Sequence, residues 1–127
     1  MKKQPVHPQG AKALSNYSPG VKAGNLLFIS GQVASGADGK IVGVGDAAKQ
    51  AEQVFKNLSA VLEAAGASLQ DVVKITCFLA GREHYAAYAA ARAKHFPKDP
   101  PASTTVIAAG LVGPEMLIEV EAVALLG

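Results

Sequence analysis

An amphipathic stretch that begins at Asp46 and ends at Gly66 constrains the fold of this chain more than any other feature. Asp46 is a good N-cap, because its carboxylate can accept hydrogen bonds from the free amides of a first helical turn. Gly66 suits the left-handed residue that follows many helices. The apolar residues between them recur at steps of three and four, as on one side of an α-helix; they are Ala47, Ala51, Val54, Leu58, Val61, Leu62 and Ala65. Such a helix needs a sheet or a second helix to cover its apolar side.

Short apolar and β-branched runs predict the strands of that sheet. Strand signals begin at Tyr17, and the run Leu26–Ile29 is apolar throughout, which is typical of a strand covered on both faces. Val72–Leu79 is rich in β-branched residues and predicts another strand. Alternation along this strand predicts one set of side chains on the same face, namely Val73, Ile75, Cys77 and Leu79.

The second half of the chain predicts one more helix and two more strands. Arg82–Phe96 has helical spacing, and Pro97 stops it. Ser103–Ala109 and Met116–Leu125 predict strands. The order β-β-α-β-α-β-β indicates an α+β fold with two helices on one face of a mixed sheet. The other face then needs a cover, and self-association is the simplest one.

Length and composition bound the class of protein. The 127 residues predict a single domain over residues 1–127, in which residues 1–16, with their prolines, lysines and one glycine, form a largely irregular arm. A net charge of +2 favours neither nucleic acid nor an anionic membrane as a partner. One cysteine excludes an intramolecular disulfide, and no apolar run reaches the length of a membrane span. We therefore expect a cytoplasmic protein.

Five landmarks in order along the chain resemble a known family. They are Tyr17-Ser18-Pro19, Asn25 through Gln32, Ala64 through Lys74, Phe96-Pro97 with Pro101 through Val106, and Ile118 through Ala124. Their order and spacing resemble the Rid/YjgF family of reactive-intermediate deaminases, historically also described as L-PSP endoribonucleases. The resemblance implies a chorismate-mutase-like fold that forms a homotrimer with clefts between subunits. It also implies hydrolysis of small-molecule enamines and imines to ketones and ammonia, without metal or cofactor.

The resemblance carries over to particular residues of the family's cleft. Tyr17, Ser30 and Gly31 match the family's substrate-binding positions, and Glu119 matches the carboxylate that activates water. The family's carboxylate-binding arginine is missing, because Ser103 stands in its place and is followed by Thr104 and Thr105. We therefore expect weak activity on simple 2-imino acids and partial recovery in Ser103→Arg.

Other residues have less specific interpretations. Glu121 lies two residues beyond Glu119 on the same strand face, and we interpret it as structural. Cys77 lies in the apolar phase of its strand and is expected to be a buried small residue rather than a nucleophile. The only arginines, Arg82 and Arg92, lie in the second helix segment, where either is a surface residue or a replacement for the missing anchor. The histidines His7, His84 and His95 lack metal-ligand spacing, so we predict no metal site.

Two functional alternatives stay open beside the deaminase. The first is a non-catalytic trimer that binds a small ligand or regulates through the same clefts. The second is an endoribonuclease, which is disfavoured because the sequence has neither a basic stripe nor aromatic stacking platforms. Ammonia release from imines separates the enzyme from the binding module.

Overall fold

The computed structural model describes residues 2–8 and 16–127. Its two α-helices are α1 (Ala47–Ala64) and α2 (Tyr85–His95). Its strands are β1 (Gln4–Val6), β2 (Gly20–Ala23), β3 (Leu26–Gln32), β4 (Val72–Leu79), β5 (Ala102–Ile107) and β6 (Ile118–Leu125). Short 3-10 turns precede β4 at Leu69–Asp71 and α2 at Arg82–His84.

The six strands form one mixed sheet in the order β1-β2-β3-β6-β4-β5. Every described neighbour pair is antiparallel except β4 and β5, which are parallel and are joined by the crossover through α2. The predicted α+β class, with two helices and a mixed sheet, is confirmed. The last strand, β6, lies near the middle of the sheet between β3 and β4, so its side chains meet both halves of the fold.

Helix α1 begins and ends at the predicted residues. The Asp46 carboxylate accepts a hydrogen bond of 3.1 Å from the Lys49 amide. At the other end Gly66 adopts a left-handed φ of 77°, and the Ala67 amide donates to the Leu62 carbonyl at 2.9 Å. Local capping chemistry therefore sets both ends of this helix.

The core lies between the helices and one face of the sheet. The fully buried side chains there include Leu27, Leu58, Leu62, Ile75, Leu79, Ile118 and Val120. Phe55 of α1 stacks on Tyr88 of α2, with ring centroids 6.1 Å apart, which fixes the two helices to each other. Gln50 is the buried polar residue of the described core, and its amide nitrogen donates to the carbonyls of Gly43 and Glu115. These bonds tie the loop before β6 to α1.

Several local differences separate the sequence predictions from the structure. The second helix, predicted over Arg82–Phe96, begins at Tyr85 after a 3-10 turn, and the strand predicted over Ser103–Ala109 spans Ala102–Ile107. The arm predicted to be irregular contains the strand Gln4–Val6, which pairs with β2; residues 1 and 9–15 of that arm lie outside the described residues. Val73 was predicted on the buried face of β4 but is 45% exposed, because the pairing of β4 with β6 shifts register between Val72 and Lys74. The last strand starts at Ile118, two residues later than predicted, because residues before it form a turn.

The second face of the sheet carries no helix of the described chain. Phe28, Val106 and Leu125 are exposed there by 46%, 40% and 47%. The helices cover the first face of the sheet. The open second face carries the two carboxylates of β6, Glu119 and Glu121. No helix among the described residues is long and apolar enough to cross a membrane.

Candidate functional site

A bulge in β3 forms the centre of the candidate site. The pairing of β3 with β6 shifts register between Ile29 and Gln32, so Ser30 and Gly31 lie outside the regular ladder. The Ser30 amide donates to the Pro19 carbonyl at 2.9 Å, and the Ser30 hydroxyl donates to the Ser18 carbonyl at 2.6 Å. The bulge therefore holds the segment that carries Tyr17, whose ring is 47% exposed.

Glu119 of β6 lies against Gly31. A Cβ atom at position 31 would stand 2.8 Å from the Glu119 Cδ atom, a distance that real Cβ atoms do not reach. The glycine thus leaves the space that the Glu119 side chain occupies. The structure places the predicted site residues Ser30 and Gly31 in the bulge with Glu119 against Gly31, and adds the backbone of Ser18 and Pro19.

The pKa of the Glu119 carboxyl is raised above its ordinary value of 4.5. Burial is the main cause, since a half-buried carboxylate loses solvation when it is charged, and the negative charge of Glu121 adds to the rise. Alternation on β6 places both carboxylates on the open face of the sheet, as expected. A carboxyl with this shift exchanges protons more readily near neutral pH than an ordinary one.

A shallow depression of about 230 Å³ adjoins the bulge on the same open face. Its lining includes Val21, Phe28, Ser30, Gly31, Glu121 and Val123. Sequence reasoning interpreted Glu121 only as structural and did not single out Phe28. The signal that could have found them is strand alternation, which places Phe28 on the same face of β3 as Ser30 and Glu121 on the same face of β6 as Glu119. The depression can hold a small molecule with one apolar side.

Within one chain, Ser103 does not reach this depression. Ser103 pairs with Ile75 of β4, whereas Glu119 pairs with Phe78 of β4. Ile75 is fully buried beneath the helices, and side chains three residues apart on a strand point to opposite faces. Ser103 and Glu119 therefore lie on opposite faces of the sheet, on strands separated by β4.

The two threonines after Ser103 divide between the faces of β5. Thr104 shares the open face with Lys74, whose Nζ atom donates to the Thr104 hydroxyl at 2.7 Å. Thr105 pairs with Cys77 and so lies on the helix side of the strand. The three hydroxyls of residues 103–105 thus form no common cluster in one chain.

Arg92 of α2 is the cation nearest to Ser103. One guanidinium nitrogen of Arg92 lies 3.3 Å from the Ser103 Oγ atom, and the other lies 3.4 Å from the Tyr85 hydroxyl. The guanidinium carbon also lies 5.3 Å from the centroid of the Tyr88 ring. The other arginine, Arg82, is exposed in the turn before α2. The sequence provided no reason to choose between the two arginines as a replacement for the missing anchor. In the structure, Arg92 contacts Ser103, whereas Arg82 is exposed in the turn.

Cys77 lies under this cluster and is buried, as predicted. Burial raises the pKa of its thiol to about 12, which the nearby Tyr88 hydroxyl and Arg92 charge lower only in part. A thiol in this state is protonated at neutral pH and is a poor nucleophile. The prediction that Cys77 packs as a small apolar residue is confirmed.

A larger open groove of about 630 Å³ runs along the outer surface of α1 and contains none of the predicted site residues. Its Glu52 carboxylate contacts the Nζ atom of Lys94 at 3.2 Å and the Nε2 atom of His95 at 2.9 Å. These contacts lower the pKa of Glu52, with the His95 hydrogen bond as the main cause. Among the described residues, no three metal-ligating side chains cluster closely enough to hold an ion.

The fold and the site together define a class of protein: a small α+β domain with a half-buried carboxylate set over a strand bulge on an open sheet face. A sequence model described as Endoribonuclease L-PSP matches residues 8–126, nearly the whole chain. The chain therefore belongs to this family, which is the Rid/YjgF family that the landmarks resemble.

Individual relatives agree with this assignment. Protein HMF1 of Saccharomyces cerevisiae is 42% identical over 113 residues, which are 88% of this chain and 85% of the yeast protein. The RutC family protein PH0854 of Pyrococcus horikoshii is 41% identical over 114 residues, 89% of each chain. The crystal structure of RidA from a Psychrobacter species matches 97% of this chain and 99% of its own, with a TM-score of 0.89 and 32% identity. The predicted family and fold are confirmed.

Proposed function

We propose that this protein hydrolyses the C=N bond of small imines, and of the enamines in equilibrium with them, to a ketone and ammonia. The observation that carries the proposal is the Glu119 carboxyl, which lies against Gly31 beside an open depression and has a raised pKa. Such a carboxyl can take a proton from water and return it within one reaction. No metal or organic cofactor is needed for this chemistry.

The reaction has two proton transfers at Glu119. In the first, the carboxylate takes a proton from a water molecule whose oxygen adds to the carbon of the protonated imine. In the second, the carboxylic acid gives that proton to the nitrogen of the resulting amino alcohol. The C–N bond then breaks, the nitrogen leaves as ammonia, and the hydroxyl group releases its proton to solvent water as it becomes the ketone oxygen. One water is consumed for each ammonia released.

We also propose that the working form is a homotrimer with the substrate between subunits. Two features support this assembly: the open face exposes apolar side chains such as Phe28 and Leu125, and an apolar face of this kind is rarely left uncovered. The hydroxyl of Ser103 also lies on the face opposite Glu119, so one chain cannot bring both to one ligand. Light scattering at micromolar concentration should give three times the monomer mass, and a monomer mass would refute the assembly.

The test of the reaction is ammonia release from freshly generated 2-imino acids. The wild-type protein should accelerate release over buffer, and Glu119→Gln should lower kcat by roughly 10²- to 10⁴-fold, the usual contribution of general acid–base catalysis. Glu63→Gln, at an exposed position of α1, is the matched control and should keep full activity. Wild-type protein that bound 2-oxo acids but released no ammonia would instead favour the non-catalytic ligand-binding alternative.

A further inference from the structure

Arg92 lies where α2 crosses behind the edge strand β5. Its guanidinium nitrogens contact the hydroxyls of Ser103 at 3.3 Å and Tyr85 at 3.4 Å. Its guanidinium carbon lies 5.9 Å from the Tyr85 ring centroid and 5.3 Å from the Tyr88 ring centroid. Two aromatic rings and two hydroxyls therefore restrict the orientation of this guanidinium.

The charge of Arg92 has no counterion among the described residues. The ion pairs described there involve Glu52 and Glu83, and neither carboxylate contacts Arg92. A guanidinium has five N–H donors, and the two contacts of Arg92 go to neutral oxygens. A fixed, partly exposed guanidinium with unused donors is a typical partner for a planar anion.

Tyr88 forms the buried base of the same cluster. Its side chain is fully buried, and its hydroxyl makes no hydrogen bond of good geometry with the described residues. Burial raises the Tyr88 pKa to about 12, and the nearby Ser103 hydroxyl and Arg92 charge counter this rise only in part. Because the hydroxyl is closed off from solvent, a ligand would meet Arg92 and the outer hydroxyls, while Tyr88 forms the rigid base under the guanidinium.

We infer that Arg92, with the hydroxyls of Ser103 and Tyr85, is the anion-binding site of this protein and takes the carboxylate of a small organic acid. This inference rests on the proposed function in one respect, namely that the acid is the imino acid substrate or its 2-oxo acid product. The positive charge is supplied by Arg92 of helix α2, and Ser103 of β5 supplies a hydroxyl beside it. Arg92 is thus the residue that sets specificity for acidic substrates.

A carboxylate fits this site better than a phosphate group does. The site has a single cation flanked by neutral hydroxyls, and the planar guanidinium matches the two oxygens of a carboxylate. A phosphate dianion usually needs a second cation or several backbone amides. Lys74 of β4, the strand next to β5, lies on the open face with Thr104 and contacts the Thr104 hydroxyl instead.

Binding of 2-oxobutanoate, measured by calorimetry or by NMR shifts without turnover, tests the site. Arg92→Ala should weaken binding by roughly 10-fold or more, as expected when hydrogen bonds to a charged group are lost at a partly exposed site, and Arg92→Lys should retain part of the affinity. Arg82→Ala removes the same charge from the exposed turn and should bind like wild type. Butan-2-one, which lacks the carboxylate, should bind equally to wild type and Arg92→Ala.

The outcomes separate this site from the proposed reaction. Arg92-dependent binding without ammonia release would keep the anion site and refute the hydrolase. Ammonia release at wild-type rates from Arg92→Ala, with unchanged 2-oxobutanoate binding, would overturn the anion site and keep the hydrolase. Failure of wild type to bind 2-oxobutanoate at millimolar concentration would also overturn it. Arg92→Lys keeps the stem and the charge, so its affinity tests the site even if Arg92→Ala folds poorly.

Discussion

The Glu119 side chain occupies the space that a side chain at Gly31 would need. This relationship joins β3 and β6 at the bulge and explains why glycine stands at position 31, where φ is not in the left-handed range. The need for glycine here is steric. Any larger residue has to displace the carboxylate that we propose as the acid–base group.

Gly31→Ala should therefore separate activity from folding. The new methyl group would overlap the Glu119 side chain, so the carboxylate must rotate away from the bulge. We expect kcat/KM for imine hydrolysis to fall by about 10- to 100-fold, as when catalytic groups are displaced by about 1 Å. Gly110→Ala is the matched control, because a Cβ atom there meets nothing within 4 Å. Equal activity in both variants would mean that the position of Glu119 is unimportant.

Glu121→Gln should shift the pH dependence of the reaction. The negative charge of Glu121 contributes to the raised pKa of Glu119, so its removal lowers that pKa. The carboxylate form of Glu119 then persists to lower pH, and the acid limb of the kcat/KM profile should move in that direction. A profile from pH 4 to 8, with Glu63→Gln as control, measures the shift. A move to higher pH would contradict the assigned interaction.

Glu119→Gln should stabilise the folded chain at neutral pH. Because burial raises the pKa of Glu119 above its unfolded value, this carboxyl favours folding below about pH 4.5 and loses that contribution as pH rises through the folded-state pKa. The amide carries no charge to desolvate. Since Glu119 is only half buried, we expect a gain of less than about 1 kcal/mol.

Thermal unfolding measures this gain. A domain of this size should show it as a rise of about 1–3 °C in Tm at pH 7. The difference should vanish below pH 4, where wild-type Glu119 is also neutral. A lower Tm at pH 7 for Glu119→Gln would mean that the carboxylate makes a stabilising contact in the folded protein.

Local sequence signals predicted most helices and strands of this fold. The features that they missed depend on pairing between strands that are far apart in the chain. Asp46 and Gly66 delimit α1 because caps act within one turn, and the run Val72–Leu79 is β4 in full. The exposure of Val73 could not be predicted, because it arises from a register shift against β6, about 50 residues away in the chain. Strand β1 is short and depends on its pairing with β2 rather than on its own composition.

The sequence likewise predicted one part of the candidate site and missed another. The landmarks led to Ser30, Gly31 and Glu119, and the structure brings these three together. The position of Ser103 on the other face follows only from the parallel register of β4 and β5. The contact of Arg92 with Ser103 depends on how α2 packs behind β5, which no local pattern specifies. The sequence alone therefore left Arg82 and Arg92 equivalent.

A double-mutant cycle between Arg92 and Ser103 tests whether both positions serve one carboxylate. The sequence alone suggested that Ser103→Arg recovers binding of simple 2-imino acids. With Arg92 at 3.3 Å from the Ser103 hydroxyl, wild type already holds a cation at that place, so Ser103→Arg should improve 2-oxobutanoate affinity only slightly. In the Arg92→Ala background the same substitution should restore much of the lost affinity.

The difference between the two backgrounds is the coupling energy, which for residues in contact is on the order of 0.5–3 kcal/mol. The Arg82→Ala background is the control, because Arg82 lies in the exposed turn before α2, and there Ser103→Arg should act as it does in wild type. Additive effects of Arg92→Ala and Ser103→Arg would mean that the two side chains bind separate groups. A large gain from Ser103→Arg in wild type, equal to its gain in Arg92→Ala, would likewise show that Arg92 does not hold the carboxylate.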